Sequence, residues 1–259
     1  MSLGVSIAAL MRASLMTTMR YRASFVGEAV MAVAWAAWTT APLFVVFDQA
    51  PTLAGWTADE ALAVVGFFII AQGVLEALVD PNLRAVVEHV RQGTFDFVLL
   101  KPLDAQLYVS LHRTEPLKLV HCLVGIGVVG YAADAVNAGP VELLSATLLM
   151  LAGLTLLHSL WTVVVSSAFF FVKVDNLSWL IRAGLDAGRW PVSLYRGFVR
   201  FVLTFVLPIG LVTTYPALAL RGELKPSTGL GAMVIAVLFA GVARIAWTQS
   251  LRRYSSASS

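Results

Sequence analysis

Few side chains in this 259-residue sequence have the types and spacing to do chemistry. The four histidines, His89, His112, His121 and His158, are not spaced as a metal site. No HExxH, GxSxG or GxxxxGK[ST] string is present, so the zinc hydrolase, serine nucleophile and phosphate-cradling motifs are all absent. Intramembrane proteolysis needs paired catalytic groups inside the membrane, and His158 beside Ser159 is a poor case for one. Cys122 is the single cysteine and lies in an apolar run, so it forms no intrachain disulfide and reads as a small buried residue. What remains is a handful of ionisable groups inside apolar runs. Each costs about 2.5–3.5 kcal/mol at mid-membrane on insertion scales, which makes them candidates for function. Glu28 sits about 7–8 Å into the first run. It either faces a substrate path or pairs with Arg20, Arg22 or a neighbouring helix. His158 is either a proton or substrate contact or a satisfied core histidine. Arg244 is close enough to a membrane face to snorkel.

The elements that must position these residues are membrane spans. Hydrophobic residues make up 59% of the chain and charged residues 13%, and the mean hydropathy is +0.82. Soluble domains run nearer 45–50% apolar and about 25% charged. The apolar runs are long and do not alternate, so they read as helices rather than barrel strands. The sequence therefore predicts an all-α membrane protein, one transmembrane domain over 1–259. An interfacial helix is expected over 1–22, with spans over about 23–47, 61–79, 116–133, 141–172, 198–220 and 228–250. The fourth run would reach about 48 Å as a helix, so it must tilt or protrude. Pro208 is expected to kink the fifth and Pro216 to help end it. The first 22 residues lack the apolar core and cleavage site of a signal peptide. The serine-rich end, 255–259, reads as a frayed tail.

Charge sets the orientation. Arg12, Arg20 and Arg22 precede the first run. Arg84, Arg91, Lys101, Arg113 and Lys118 follow the second. Lys173, Arg182, Arg189, Arg196 and Arg200 follow the fourth, and Arg252 and Arg253 follow the sixth. The alternate loops hold only Arg221 and Lys225. Both termini are thus expected in the cytoplasm. The net charge of +3 reads as membrane topology and not as nucleic-acid binding.

The first cytoplasmic loop is the most informative. Asp80 reads as an N-cap with Pro81 in the first helical position, and Gly93 as a stop. Leu83, Val86, Val87 and Val90 fall on one apolar face, and Arg84, Glu88 and Arg91 on another. Such a helix either rests on the inner membrane surface or docks a soluble partner. Asp96 reads as a local cap or turn residue, and Lys101 with Pro102 as the point of re-entry to the membrane.

The string RQGTFDFVLLKP, Arg91 to Pro102, resembles the cytoplasmic-loop signature of type-2 ABC exporter permeases at Arg91, Gly93, Asp96, Leu100, Lys101 and Pro102. A second patch, RWPVSLYRGFVRFVLTFVLPIGLVTTYPALAL over 189–220, is similar to the same family in its Pro208 and Pro216 pattern. The resemblance implies a permease in a bacterial cytoplasmic membrane, paired with a second permease, the same or different, on an ATPase dimer. ATP and Mg would be bound by that partner, with no cofactor in this chain. The helix after the second span would be the coupling helix, with Leu83, Arg84, Val86, Val87, Glu88, Val90, Arg91, Gly93, Asp96, Lys101 and Pro102 as the coupling residues. The rival readings are an ATP-independent carrier or channel, which would lean on Glu28 and His158, and a membrane scaffold without transport.

Overall fold

A computed structural model describes residues 22–170 and 175–254. Nearly all of the expected interfacial helix at 1–22, and the tail at 255–259, lie outside the described residues. Among those described, every regular segment is helical. Five helices are long and apolar enough to cross a membrane: Ser24–Gln49, Ala58–Arg91, Pro116–Ala135, Pro140–Ser167 and Pro226–Arg253. The number rises to six if the bent pair Gly197–Val206 and Ile209–Leu220 counts as one span.

The first span is helix α1, Arg22–Gln49. The second begins as α2, Ala58–Val74, under a reciprocal cap: Thr57 Oγ1 accepts from the Glu60 amide, and Glu60 Oε2 accepts from the Thr57 amide. Its end differs from the sequence reading. No new helix starts at Asp80. The chain passes through a π-turn, Leu75–Val79, directly into α3, Asp80–Arg91, and Asp80 itself is helical. Pro81 has no amide hydrogen to give the carbonyl four residues back. That carbonyl, on Ala77, instead accepts from the Glu115 amide at 2.8 Å. The proline is thus absorbed inside a 34-residue helix.

The third span is a single turn at Pro116–Lys118 followed by α6, Leu119–Ala135. It packs on α2 through small residues. A β-carbon on Gly66 would lie 2.7 Å from Val129, one on Gly73 2.7 Å from Cys122, and one on Gly125 2.8 Å from Ile70. Close backbone approach of this kind is how helices associate where apolar contact alone gives no preference over lipid. The fourth span, α7, Pro140–Ser167, is shorter than expected, and a turn at 168–170 follows it. The last span, α11, Pro226–Arg253, packs along α7.

The 198–220 run is not one straight helix. Between α8, Asp175–Ala187, and α11 the chain forms α9, Gly197–Phe201, with a π-turn at Val202–Val206. A single turn, Ile209–Leu211, and α10, Thr214–Leu220, follow. The two arms meet at Leu207–Pro208 with a bend of 65°. Before the arms, Ser193 accepts from Trp56 Nε1 at 2.9 Å. After them, Arg221 reaches Glu60 at 3.1 Å and stacks over the Trp56 ring at 5.0 Å. Both flanks therefore lie at the same end of α2. The fold is that of a hairpin dipping inward, its tip against Gly153 midway along α7. Arg196 and Arg200 consequently sit past the Trp56 contact, away from the end that carries Arg84 and Arg253.

A β-carbon on Gly153 would stand 2.7 Å from both the Leu211 carbonyl oxygen and the Val212 Cα. Backbone cannot yield as a side-chain end can. Gly153→Leu should therefore cost about 1–3 kcal/mol, the usual size of an overpacking penalty. Thermal melting of the detergent-solubilised protein should fall for Gly153→Leu and stay put for Gly127→Leu, whose β-carbon meets nothing.

Candidate functional site

Residues 92–113 form a compact hairpin at the end of α3. Gly93 adopts φ +66°, a left-handed conformation that ends the helix at little cost. The Thr94 amide returns to the His89 carbonyl at 2.9 Å, and the Thr94 hydroxyl sits 2.8 Å from His89 Nδ1. Phe95 is then fully buried. Its ring packs edge-on against Phe169 (5.2 Å), Tyr254 (5.6 Å) and Trp247 (6.2 Å). The hairpin is thereby pinned to the ends of both α7 and α11. A one-turn helix, α4, Asp96–Leu99, follows, with Val98 buried beneath it. On the outer side Phe97, Leu99 and Leu100 are bare, Leu100 being 79% exposed, beside exposed Lys101 and Pro102.

The return arm is α5, Ala105–Leu111. Asp104 caps it by accepting from the Leu107 amide at 3.1 Å and pairs with Arg244 of α11 at 2.6 Å. The hydrogen bond from Arg244 holds the Asp104 carboxyl below the usual carboxylate range. With a depressed folded value, the pair's contribution is present above the unfolded value near pH 4 and fades as pH falls through the folded one. Asn82 closes the hairpin. Its amide nitrogen reaches the carbonyls of Leu78 (2.6 Å), Ser110 (3.0 Å) and Arg113 (2.6 Å), and its oxygen accepts from the Arg113 amide (2.7 Å). Asp80, also buried, forms an ion pair with Arg182 of α8, whose guanidinium lies 5.9 Å from the Trp161 ring.

The expected coupling residues therefore divide into two groups. Leu83 and Val86 are buried, and Val87 and Val90 are half-buried against the same core. That apolar face turns toward the protein's own α5 and α7, so a charge placed there would break the fold. Arg84, Glu88 and Arg91 are exposed. Asp96 is half-buried at the start of α4.

The in-membrane candidates are not brought together. Glu28 accepts from Lys118 Nζ at 2.7 Å, and His121 Nδ1 lies 3.8 Å away. It ties α1 to the start of the third span. His158 lies elsewhere, its Nε2 3.3 Å from Ser110 Oγ. It borders a cavity of about 580 Å³ between α2, α5 and α7.

The model of the ABC-2 family transporter proteins matches residues 33–258. The chain belongs to that family. No curated protein and no solved structure matches it. As an ABC-2 family member with several apolar spans, it is a multi-pass membrane subunit of a transporter, in a family whose permeases normally work with an ATPase subunit. The family's loop signature coincides with the hairpin, but its strongest anchors were not read as such from the sequence. Phe95 hides inside the matched string as one more apolar residue. Asn82 is a polar residue on the Val86 side of α3, which is a legible sign of a buried bond. Asp104 with Arg244, and Asp80 with Arg182, are separated too far in sequence to be paired without the fold.

Phe95→Ala should cost about 3–5 kcal/mol, the range for emptying a buried aromatic site. Trypsin should then cleave first at Arg91, because Pro102 protects the bond after Lys101, a change that the conservative Phe95→Tyr would not produce if the ring alone matters. Asn82→Leu keeps the branching and the number of heavy side-chain atoms but strips four backbone partners. It should lower the melting temperature more than Gln49→Leu, a change at an exposed position at the end of α1.

Proposed function

We propose that this chain is the membrane-spanning half of an ATP-driven exporter in a bacterial cytoplasmic membrane. ATP and Mg are bound by a separate ATPase dimer, and a second permease, identical or different, completes the pathway. The carrying observation is the hairpin surface of Phe97, Leu99 and Leu100 beside Lys101. It is apolar and exposed, yet held by Phe95 to the ends of two spans. A surface of that kind suits a soluble partner that pushes, because force applied to it reaches α7 and α11 instead of bending a loop. The docking contact then runs through the hairpin tip with Arg84, Glu88 and Arg91 at its rim. Leu83, Val86, Val87 and Val90 act from behind it by holding the helix in place.

In this reading both termini are cytoplasmic. The fifth crossing is made by 175–194, from the Asp80–Arg182 pair to the Trp56–Ser193 bond, and the bent pair dips in from the outside. Glu28 is a structural charge neutralised by Lys118, which weakens the case for an ion-coupled carrier.

The tagged protein, extracted gently from its native membrane, should bring down a soluble ATPase. Leu100→Asp should cut the recovered ATPase about tenfold or more while leaving insertion and melting unchanged, since Leu100 touches little of its own chain. Undiminished ATPase in the Leu100→Asp preparation, or a wild-type protein that comes down alone, would sink the assignment.

A further inference from the structure

The cavity beside His158 has a graded lining. At the cytoplasmic end stand Ser110 and Gln106 of α5 and His158 of α7. Toward mid-membrane the lining is Leu78, Leu154 and Leu151. Along α7, Leu151 lies seven residues, or about 10 Å, from His158. Leu151 and Thr155 are exposed on the lateral surface, so the space opens sideways toward the inner leaflet. Its volume of about 580 Å³ falls within the roughly 300–1,000 Å³ of small-molecule sites. Few polar groups converging at one end of an apolar cleft is the usual composition of such a site.

The polar end is uncharged in sum. Asp104 and Arg244 at its rim neutralise one another. The Ser110 hydroxyl donates to the Gln106 carbonyl at 2.7 Å. Its oxygen is therefore the acceptor for His158 Nε2–H at 3.3 Å. With the ring neutral, that assignment leaves Nδ1 as the nitrogen that carries a lone pair and can accept a hydrogen bond. The chemistry that matches is a hydroxyl group, with an acyl chain running along the leucines.

We propose that this cavity binds an inner-leaflet amphiphile with an uncharged, hydroxyl-bearing head and a single acyl chain. Naming that molecule as cargo rests on the exporter reading; the binding itself does not. The test therefore uses the purified permease in detergent without any ATPase. The probe is a monoacylglycerol carrying a diazirine near the end of its chain. After irradiation, peptide mass spectrometry should find saturable labelling at Val74–Leu78 and Leu151–Thr155. Leu154→Trp, which fills the cavity, should lower it about tenfold. Leu151→Trp, at the exposed mouth and harmless to folding, should do the same. His158→Phe should weaken labelling by the monoacylglycerol and leave a fatty-acid methyl ester probe unchanged, because only the former donates a hydrogen bond. Labelling that does not saturate, or that both tryptophan variants leave intact, overturns the site. Equal loss of both probes in His158→Phe overturns the head assignment.

Discussion

In a bilayer every backbone polar group has to find its partner within the protein, and Pro81 breaks that rule at the end of the second span. The missing amide leaves the Ala77 carbonyl open, a loss of order 1–3 kcal/mol if buried and unmet. The chain returns 34 positions later to meet it with the Glu115 amide. Asn82, one residue on, binds the same returning strand at Ser110 and Arg113. Everything between these points is forced into a closed hairpin. The depth at which the third span begins, the direction of α5 and the position of the Phe95 anchor all follow from that closure.

The ion pairs add a second layer of registration. Glu28 with Lys118, Asp80 with Arg182, Arg221 with Glu60 and Arg244 with Asp104 each join segments far apart in sequence. Where they are largely buried, as at Asp80 and at Arg221 with Glu60, such pairs give little net stability over apolar replacements, yet removing one partner is costly; the exposed Arg244–Asp104 pair contributes about 0–1 kcal/mol. Their effect is to select one arrangement of spans among many that would bury apolar surface equally well. Two of them act at opposite ends of α2 and α3. Arg221 locks the inward-dipping hairpin to the Trp56 end, and Arg182 locks α8 to the Asp80 end.

Helix α5 belongs to two structures at once. One side of it forms the hairpin over 92–113; the other lines the cavity beside His158. In the proposed exporter, a push on Leu100 would reach that cavity through the 101–104 turn and the two turns of α5, without a long relay. The π-turn at Leu75–Val79 lies on the adjoining wall, and π-turns are frequent at functional sites.

The sequence alone determined the class of the protein and most of its spans. Apolar length and the rarity of charge are local, additive properties that a bilayer reads directly. The family signature at 91–102 was legible for the same reason, being a contiguous string. Gly93 as a stop followed from the backbone freedom of one residue. The tertiary structure decided what depended on distant partners. Asp80 looked like a cap because Asp-Pro starts helices in isolation, and only the Glu115 amide lets the helix run through it. The Leu83–Val90 face looked available because periodicity shows that a face is apolar without showing what covers it. The 198–220 run looked like one span because its hydropathy is continuous, whereas the bend at Pro208 and the two contacts at Trp56 turn it back on itself. Hydropathy is a property of each residue, while direction, pairing and cover are properties of the whole packed chain.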